Sequence, residues 1–522
     1  MPRITIDQQP IDVPAHATIL EAAAALGIRI PTLCYRQDCE APTSCLVCVV
    51  KLVGSGRFVP ACGTRVADGM EIESETEEVR RMRRSAIELL LGDHLGDCLG
   101  PCELACPAQM DIPLMLRQIA AGAWRDAIET VKRDIALPAV LGRICPAPCE
   151  KACRRGPAGG PVAICALKRL VADLDLQAAE PYRPDVAPPS GRRVAVLGAG
   201  PTGLAATYAL ARAGHACTVF DAAAAPGGRL RRETTETQLP PAVLDAEVRT
   251  LLLPGVELRL GSAIDAEGFS RLRSEFDAVL LAVGAPGTTA AIAWGLPGST
   301  RGIATAARTF ATPLPGVFAA GSAVRGKALV IRSVADGKEA AAAIDQFLSG
   351  RPVVGALRPF NTRIGRVDED ELRRFLAGAS PEPRREPQGG TTSGYTPEEG
   401  AREASRCLHC DCRKKDSCRL RDESAALGAP VRRAETGRRA FEQDASHRHV
   451  VYEPGKCIAC GLCVAITRRA GEPLGLTFIG RGFDVRVGVP LGGSLSDALT
   501  RAADQVVEAC PTGALAWKDV PR

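Results

Sequence analysis

The sequence predicts a multidomain fold that mixes α+β and α/β parts, and three observations predict it. Its 522 residues exceed what one hydrophobic core serves, so several domains are required. Two proline- and glycine-containing stretches, PYRPDVAPPSGR (181–192) and SPEPRREPQGGTTSGYTPEEG (380–400), read as linkers between them. The run RRVAVLGAGPTGLAATYALARAGHACTVFDAA reads as strand, glycine turn, helix and strand, which opens a doubly wound α/β domain.

Composition narrows the function classes. Apolar residues make up 46%, the net charge is +5, and aromatics contribute only 4%. Nucleic-acid binding calls for a basic stripe with aromatics interleaved; the short Arg80-Arg81-Met82-Arg83-Arg84 run reads instead as one solvated helix face. No run of 18 apolar residues suggests a membrane span, and MPRITIDQQPIDV lacks the apolar core of a signal peptide. A cytoplasmic protein is therefore expected. In that compartment the 21 cysteines argue for metal rather than disulfides. They fall into four groups, with only Cys39 and Cys217 standing apart.

Residues 1–80 read as short strands around a cysteine loop. Cys34, Cys45, Cys48 and Cys62 follow C-x10-C-x2-C-x13-C, and four thiolates suit a 2Fe-2S centre, a structural zinc being the alternative. The words IPTLCYRQDCEAPTSCLVCVVKL and FVPACGTRVADGMEIES resemble the N-terminal ferredoxin domain of the large iron–sulfur subunit of complex I. That resemblance implies a β-grasp domain holding one 2Fe-2S cluster, with Cys39 a spare thiol.

Residues 81–180 read as helical, because Ile112, Met115, Leu116 and Ile119 recur at helix spacing, as do Trp124, Ile128 and Val131. The same complex I subunit continues with a histidine-ligated 4Fe-4S site patterned H-x3-C-x2-C-x5-C. Here the run is His94-x3-Cys98-x3-Cys102-x3-Cys106-Pro107, which begins like that motif and ends differently. From Cys102 onward, CELACPAQMDIPLMLRQIAAGAWRDAI, GRICPAPCEKAC and PVAICALKRLV are similar to the N-terminal domain of the glutamate synthase small subunit and of dihydropyrimidine dehydrogenase. That family builds two 4Fe-4S clusters from C-x2-C-x4-C-x3-C-P and a downstream trio. Carried over by position, the resemblance implies one cluster on His94, Cys98, Cys102 and Cys153. It implies another on Cys106, Cys145 and Cys149, with Cys165 replacing a glutamine ligand whose counterpart here is Lys168. The other reading of His94 is a helix cap or solvent-facing ring, with water or Asp97 completing the cluster.

Residues 190–350 carry Gly198-x-Gly200-x-x-Gly203 after a strand and before a helix, and Asp221 at the end of the next strand. Such glycines allow a tight turn and close approach of a pyrophosphate, and the acid accepts from a ribose hydroxyl. Pro226-Gly227-Gly228-Arg229-Leu230 resembles the FAD site of the glutamate synthase family, as do DAVLLAVGAPG (277–287) and LPGVFAAGSAVRG (314–326). The resemblance implies FAD held also by Gly321 and by Ser322, where the family has an aspartate. The family's second Rossmann domain, which binds NADPH, is missing: about thirty residues separate Gly287 from Phe318, without a second GxGxxG. A single βαβ unit already needs about thirty residues.

Residues 351–400 read as linker, 401–445 as a four-cysteine segment and 446–522 as a ferredoxin-like 4Fe-4S domain. Cys407-x2-Cys410-x-Cys412-x5-Cys418 suits a 4Fe-4S cluster or a structural zinc, with the His409 ring facing out. Cys457-x2-Cys460-x2-Cys463 and the distant Cys510-Pro511 supply four ligands for a 4Fe-4S cluster and again resemble the complex I subunit. One 2Fe-2S and three to four 4Fe-4S clusters with FAD imply an electron-transfer subunit. Its partners are expected to be redox subunits of dehydrogenase, hydrogenase or NADH-diaphorase type. A free-standing NAD(P)H-dependent reductase is the second reading and a non-catalytic assembly scaffold the third. No catalytic acid–base residues are expected.

Overall fold

Alternation shapes the N-terminal sheet: Ile4 and Ile6 point inward from β1 (Arg3–Ile6) while Arg3 stays exposed. The computed structural model describes residues 1–285, 289, 292–298, 302–431 and 438–518. It divides into two units, the first comprising 1–99, 359–378 and 409–522, the second 100–358 and 379–408.

In the first unit β1 joins β2 (Gln9–Asp12), β3 (Val49–Leu52), β4 (Phe58–Pro60) and β5 (Glu71–Glu73) in the order β2-β1-β5-β3-β4. β1 and β5 run parallel and the other pairs antiparallel. Helix Ile19–Ala25, started by a Thr18–Glu21 capping box, buries Ile19, Ala22 and Ala23 in one cluster with Ile4, Ile6, Val50 and Ile72. Helix Glu77–Asp93 buries Val79, Ile87 and Leu91 on one stripe and ends at His94. It belongs to this unit rather than opening a helical domain at 81. An apolar stripe shows that a helix packs, but not against which core.

The second unit contains helices Ile112–Ala120, Trp124–Asp134, Pro138–Ile144 and Ile164–Gln177, which carry the periodic residues noted above. A parallel sheet follows: β6 (Arg193–Leu197), β7 (Ala216–Asp221), β8 (Val256–Leu260), β9 (Ala278–Leu281) and β10 (Val317–Ala319), ordered β10-β9-β6-β7-β8. Cys217 is a buried core thiol of β7, and burial pushes it up to about 12. Residues 181–192 are irregular, as a proline-rich linker should be. The expected linker 351–400 is not one: Glu369–Leu376 folds with the first unit and Pro397–Ala404 with the second. Strong capping boxes at Asp368–Glu371 and Thr396–Glu399 override the polar composition. Pro286 and Gly287, which close the DAVLLAVGAPG segment, lie outside the described residues, as do 432–437 of the four-cysteine segment and 519–522 of the last domain.

One buried acid couples this unit's stability to pH. Glu247 accepts from the Ala139 and Val140 N–H groups at 2.5 and 2.8 Å, satisfying the start of helix Pro138–Ile144. Burial pushes its carboxyl up to about 7 from 4.5. Because the folded value exceeds the unfolded one, the folded state binds more protons between those values, and stability falls as pH rises through that window. The expected loss is about 3 kcal/mol. Urea unfolding at pH 5 and pH 8 checks this, with Glu247→Gln expected to flatten the difference.

Candidate dinucleotide pocket and cysteine centres

In the parallel sheet the strand order reverses between β6 and β9, the position at which such sheets open a ligand crevice beyond their carboxyl ends. A cavity of about 610 Å³ lies there, lined among others by Gly198, Gly200, Asp221, Arg229, Ser322 and Lys327. That size suits a cofactor site. Gly203 permits the close approach beneath it: a Cβ there would stand 1.9 Å from Gly198 O. Gly200 differs, since nothing lies within 4 Å of where its Cβ would be. The backbone of the turn therefore leaves free room at the start of helix Pro201–Arg212, whose first turn has no side-chain cap. Unpaired N–H groups at such a start favour an anion. The residues thus fit a dinucleotide pyrophosphate.

Asp221 is positioned by the turn it faces, accepting from Ala199 N–H at 2.7 Å and from Ala223 N–H at 2.8 Å. Gly228 also lines the cavity, and Arg229 donates to Ala328 O. Gly227 and Gly321 stand behind the wall, where they face Leu244 and Thr202. Arg232 and Lys327 add positive charge that the motif reading had not singled out.

The cysteines gather as follows. In the first unit Cys34, Cys45, Cys48 and Cys62 are all buried. Cys48 Sγ and Cys62 Sγ lie 3.4 Å apart, and hydrogen bonds from Cys45 and Cys62 hold the Cys34 thiol well below its ordinary value while those two are pushed up. Four sulfurs within mutual reach fit a 2Fe-2S centre. Cys457, Cys460, Cys463 and Cys510 line one enclosed apolar cavity with Tyr452 and Val487. Burial raises Cys457 to about 11 and Cys460 to about 12, so a cation is needed to keep thiolates in that space.

In the second unit Cys165 stands with Cys145 and Cys149, whose hydrogen bonds pull its thiol down as theirs rise. Cys106 is near enough to add to the field at Cys149. Lys168, set aside in the sequence as unable to ligate iron, is buried with its Nζ 4.0 Å from Cys165 Sγ. Burial opposes its charge, but Cys165, Cys145, Cys149 and Cys106 outweigh that and raise its pKa. Cys102, Cys153 and Cys407 pack in the same apolar core, and Arg155 feels both Cys153 and Cys407.

Two expected groupings draw on residues of both units. Cys407 belongs to the second unit, whereas Cys412 and Cys418 belong to the first with His94 and Cys98. Cys410 is partly exposed and falls in the first unit. Contiguous spacing suggested single local sites, but the chain changes units at 99 and again at 408. Among the described residues no three His, Cys, Asp or Glu side chains close around a single metal ion.

Comparison with known proteins agrees with these parts. Residues 2–77 match the 2Fe-2S iron–sulfur cluster binding domain, 96–180 match dihydropyrimidine dehydrogenase domain II, 4Fe-4S cluster, and 196–260 match the NAD(P)-binding Rossmann-like domain. The chain thus joins a 2Fe-2S domain, a 4Fe-4S domain of the dihydropyrimidine dehydrogenase kind and a Rossmann-like domain. It is similar to the NADP(+)-dependent formate dehydrogenase subunit beta of Moorella thermoacetica, 34% identical over 35% of this chain and 29% of that one. It is also similar to the NAD-dependent dihydropyrimidine dehydrogenase subunit PreT of Escherichia coli K12, 36% identical over 35% and 45%. The glutamate synthase [NADPH] small chain of Mycobacterium tuberculosis is 36% identical over 42% and 44%. These relatives are redox-enzyme subunits, and the chain spans less than half the length of each. No described helix is long and apolar enough to cross a membrane.

Proposed function

We propose that the chain is a flavo-iron–sulfur electron-transfer subunit, with FAD in the Rossmann pocket and five iron–sulfur centres. It passes electrons between a partner subunit of dehydrogenase, hydrogenase or diaphorase type and another acceptor. The observation that carries the reading is one dinucleotide pocket of about 610 Å³ in a chain whose 21 cysteines, all but Cys39 and Cys217, gather in groups.

The mixed sheet around Cys34, Cys45, Cys48 and Cys62 is read as a β-grasp domain holding the 2Fe-2S centre. Cys106, Cys145, Cys149 and Cys165 hold one 4Fe-4S cluster, and Cys457, Cys460, Cys463 and Cys510 hold another. Clusters carry single electrons, whereas a bound flavin exchanges one or two and so can join the two regimes. The chain's own residues bind and orient: Gly200 leaves room for the pyrophosphate, Asp221 lines the pocket on the ribose side while the turn's N–H groups hold it, and Arg229, Arg232 and Lys327 offset the phosphate charge. A reducing compartment such as the cytoplasm keeps these thiols available to iron.

A second reading is supported by the match of 196–260 to an NAD(P)-binding model and by relatives named for NAD and NADP: a reductase that takes hydride from NAD(P)H directly. The short stretch between Gly287 and Phe318 weighs against it. Anaerobic titration of the purified chain with NADH, then NADPH, then dithionite, followed by absorbance, decides between them. Bleaching by dithionite alone, with FAD released on acid extraction, is expected. Bleaching by either pyridine nucleotide within seconds would overturn the proposal in favour of the reductase.

A further inference from the structure

We infer that His94, Cys98, Cys412 and Cys418 form one 4Fe-4S site, a single ligand motif that the chain interrupts and later resumes. The inference rests on the iron–sulfur reading above and changes which residues serve which cluster. Cys98 and Cys412 are joined through their backbones, Cys412 N–H donating to Cys98 O at 3.2 Å. All three thiols are buried. Cys98 is close enough to act on both Cys412 and Cys418, and Cys412 acts on Cys418.

The surroundings hold these thiols in place from three segments of the same unit. Thr362 places its hydroxyl 3.4 Å from Cys98 Sγ, donates its N–H toward that sulfur at 3.5 Å, and donates its hydroxyl to Gly96 O at 2.7 Å. Asp97 accepts from Ile364 N–H at 2.8 Å, so the loop after His94 is fixed. On the other side, Lys414 donates to Val507 O and Cys510 O, each at 2.7 Å, and Leu420 N–H donates to Pro511 O at 3.2 Å. Cys418 is not needed by the neighbouring cavity, which already has Cys457, Cys460, Cys463 and Cys510 in its wall. His94 ends helix Glu77–Asp93 three residues before Asp97, on the loop that Asp97 fixes.

Spacing gives an independent argument. Joining Leu99 to Asp411 produces His94-x3-Cys98-x2-Cys412-x5-Cys418, the uninterrupted H-x3-C-x2-C-x5-C pattern. The stretch from 100 to 408 holds the whole second unit. Cys407 already lies in one core with Cys102 and Cys153. Neither zinc nor a water ligand is required at His94, Cys98, Cys412 and Cys418.

The test is pulsed EPR on dithionite-reduced full-length protein labelled with 15N-histidine, with iron counted per chain. The wild type is expected to show one cluster coupled to a histidine nitrogen. Cys412→Ser and Cys418→Ser should each remove that signal and about four irons, whereas Cys407→Ser should spare it and remove a different one. His94→Cys should keep the irons and lose the nitrogen coupling, which guards against a variant that merely misfolds. Loss of one and the same signal in Cys407→Ser and Cys412→Ser would overturn the inference, as would zinc in the wild type at those cysteines. A wild type without reducible clusters would instead overturn the electron-transfer reading itself.

Discussion

Lys168→Met is expected to lower the midpoint potential of one 4Fe-4S cluster by roughly 100 mV and leave the others in place. The ammonium is buried 4.0 Å from Cys165 Sγ, and the thiols it faces are Cys165, Cys145, Cys149 and Cys106. A fixed positive charge beside a cluster stabilises the reduced state more than the oxidised one, because reduction adds negative charge. At an effective dielectric of about 20 and a separation of roughly 6 Å, one charge acts on one electron by ~3 kcal/mol. That converts to roughly 100 mV, or nearly two decades in the electron-transfer equilibrium. An EPR-monitored redox titration reads the shift directly. Lys168→Arg should retain most of the wild-type potential, since the charge survives. A midpoint unmoved in Lys168→Met would show that Lys168 serves packing alone.

The same lysine shows how much of a site sequence reasoning can reach. On a helix, a lysine reads as a solvent-facing residue, and burial of its charge is decided by what surrounds it. Here four thiols from three stretches of chain converge on it, and only its position opposite the family's glutamine ligand pointed there. The Gly198–Asp221 unit was legible for the opposite reason. Its strand, turn, helix and strand are consecutive, and each glycine has its cause within a few residues, as the 1.9 Å approach at Gly203 illustrates. The gathering of Cys457, Cys460, Cys463 and Cys510 around one cavity was legible because a dense local triplet calls for one more thiol and Cys510-Pro511 is the candidate.

Cys98 and Cys412 were illegible because each sits beside a run that looks complete by itself. Cys98-x3-Cys102-x3-Cys106 and the Cys407–Cys418 segment both have plausible ligand counts. Only the backbone bond from Cys412 to Cys98 and the change of unit on either side separate them. Helix Glu77–Asp93 was assigned to the wrong neighbour for a related reason: its buried stripe was correct, but the partner was not encoded in it. Local chemistry was readable and chain routing was not.

Gly200→Val is expected to empty the pocket of flavin while sparing the fold and every cluster. Gly200 has φ −83° and ψ −176°, extended backbone that a valine adopts without strain. No protein atom lies within 4 Å of the new Cβ, so the folded chain has no reason to reject it. Its methyl groups would instead occupy the room at the first turn of helix Pro201–Arg212, where the proposed pyrophosphate meets unpaired N–H groups. A tenfold loss of affinity, about 1.4 kcal/mol, is the least such a clash should cost. Flavin per chain should fall accordingly on acid extraction, with iron content unchanged and Tm within a few degrees of wild type. Gly203→Ala is the contrasting case, because its Cβ would stand 1.9 Å from Gly198 O and break the turn itself. That variant should lose flavin and thermal stability together. If Gly200→Val retained a full complement of flavin, the nucleotide would have to lie elsewhere in the cavity, and the phosphate role assigned to this helix start would fall with it.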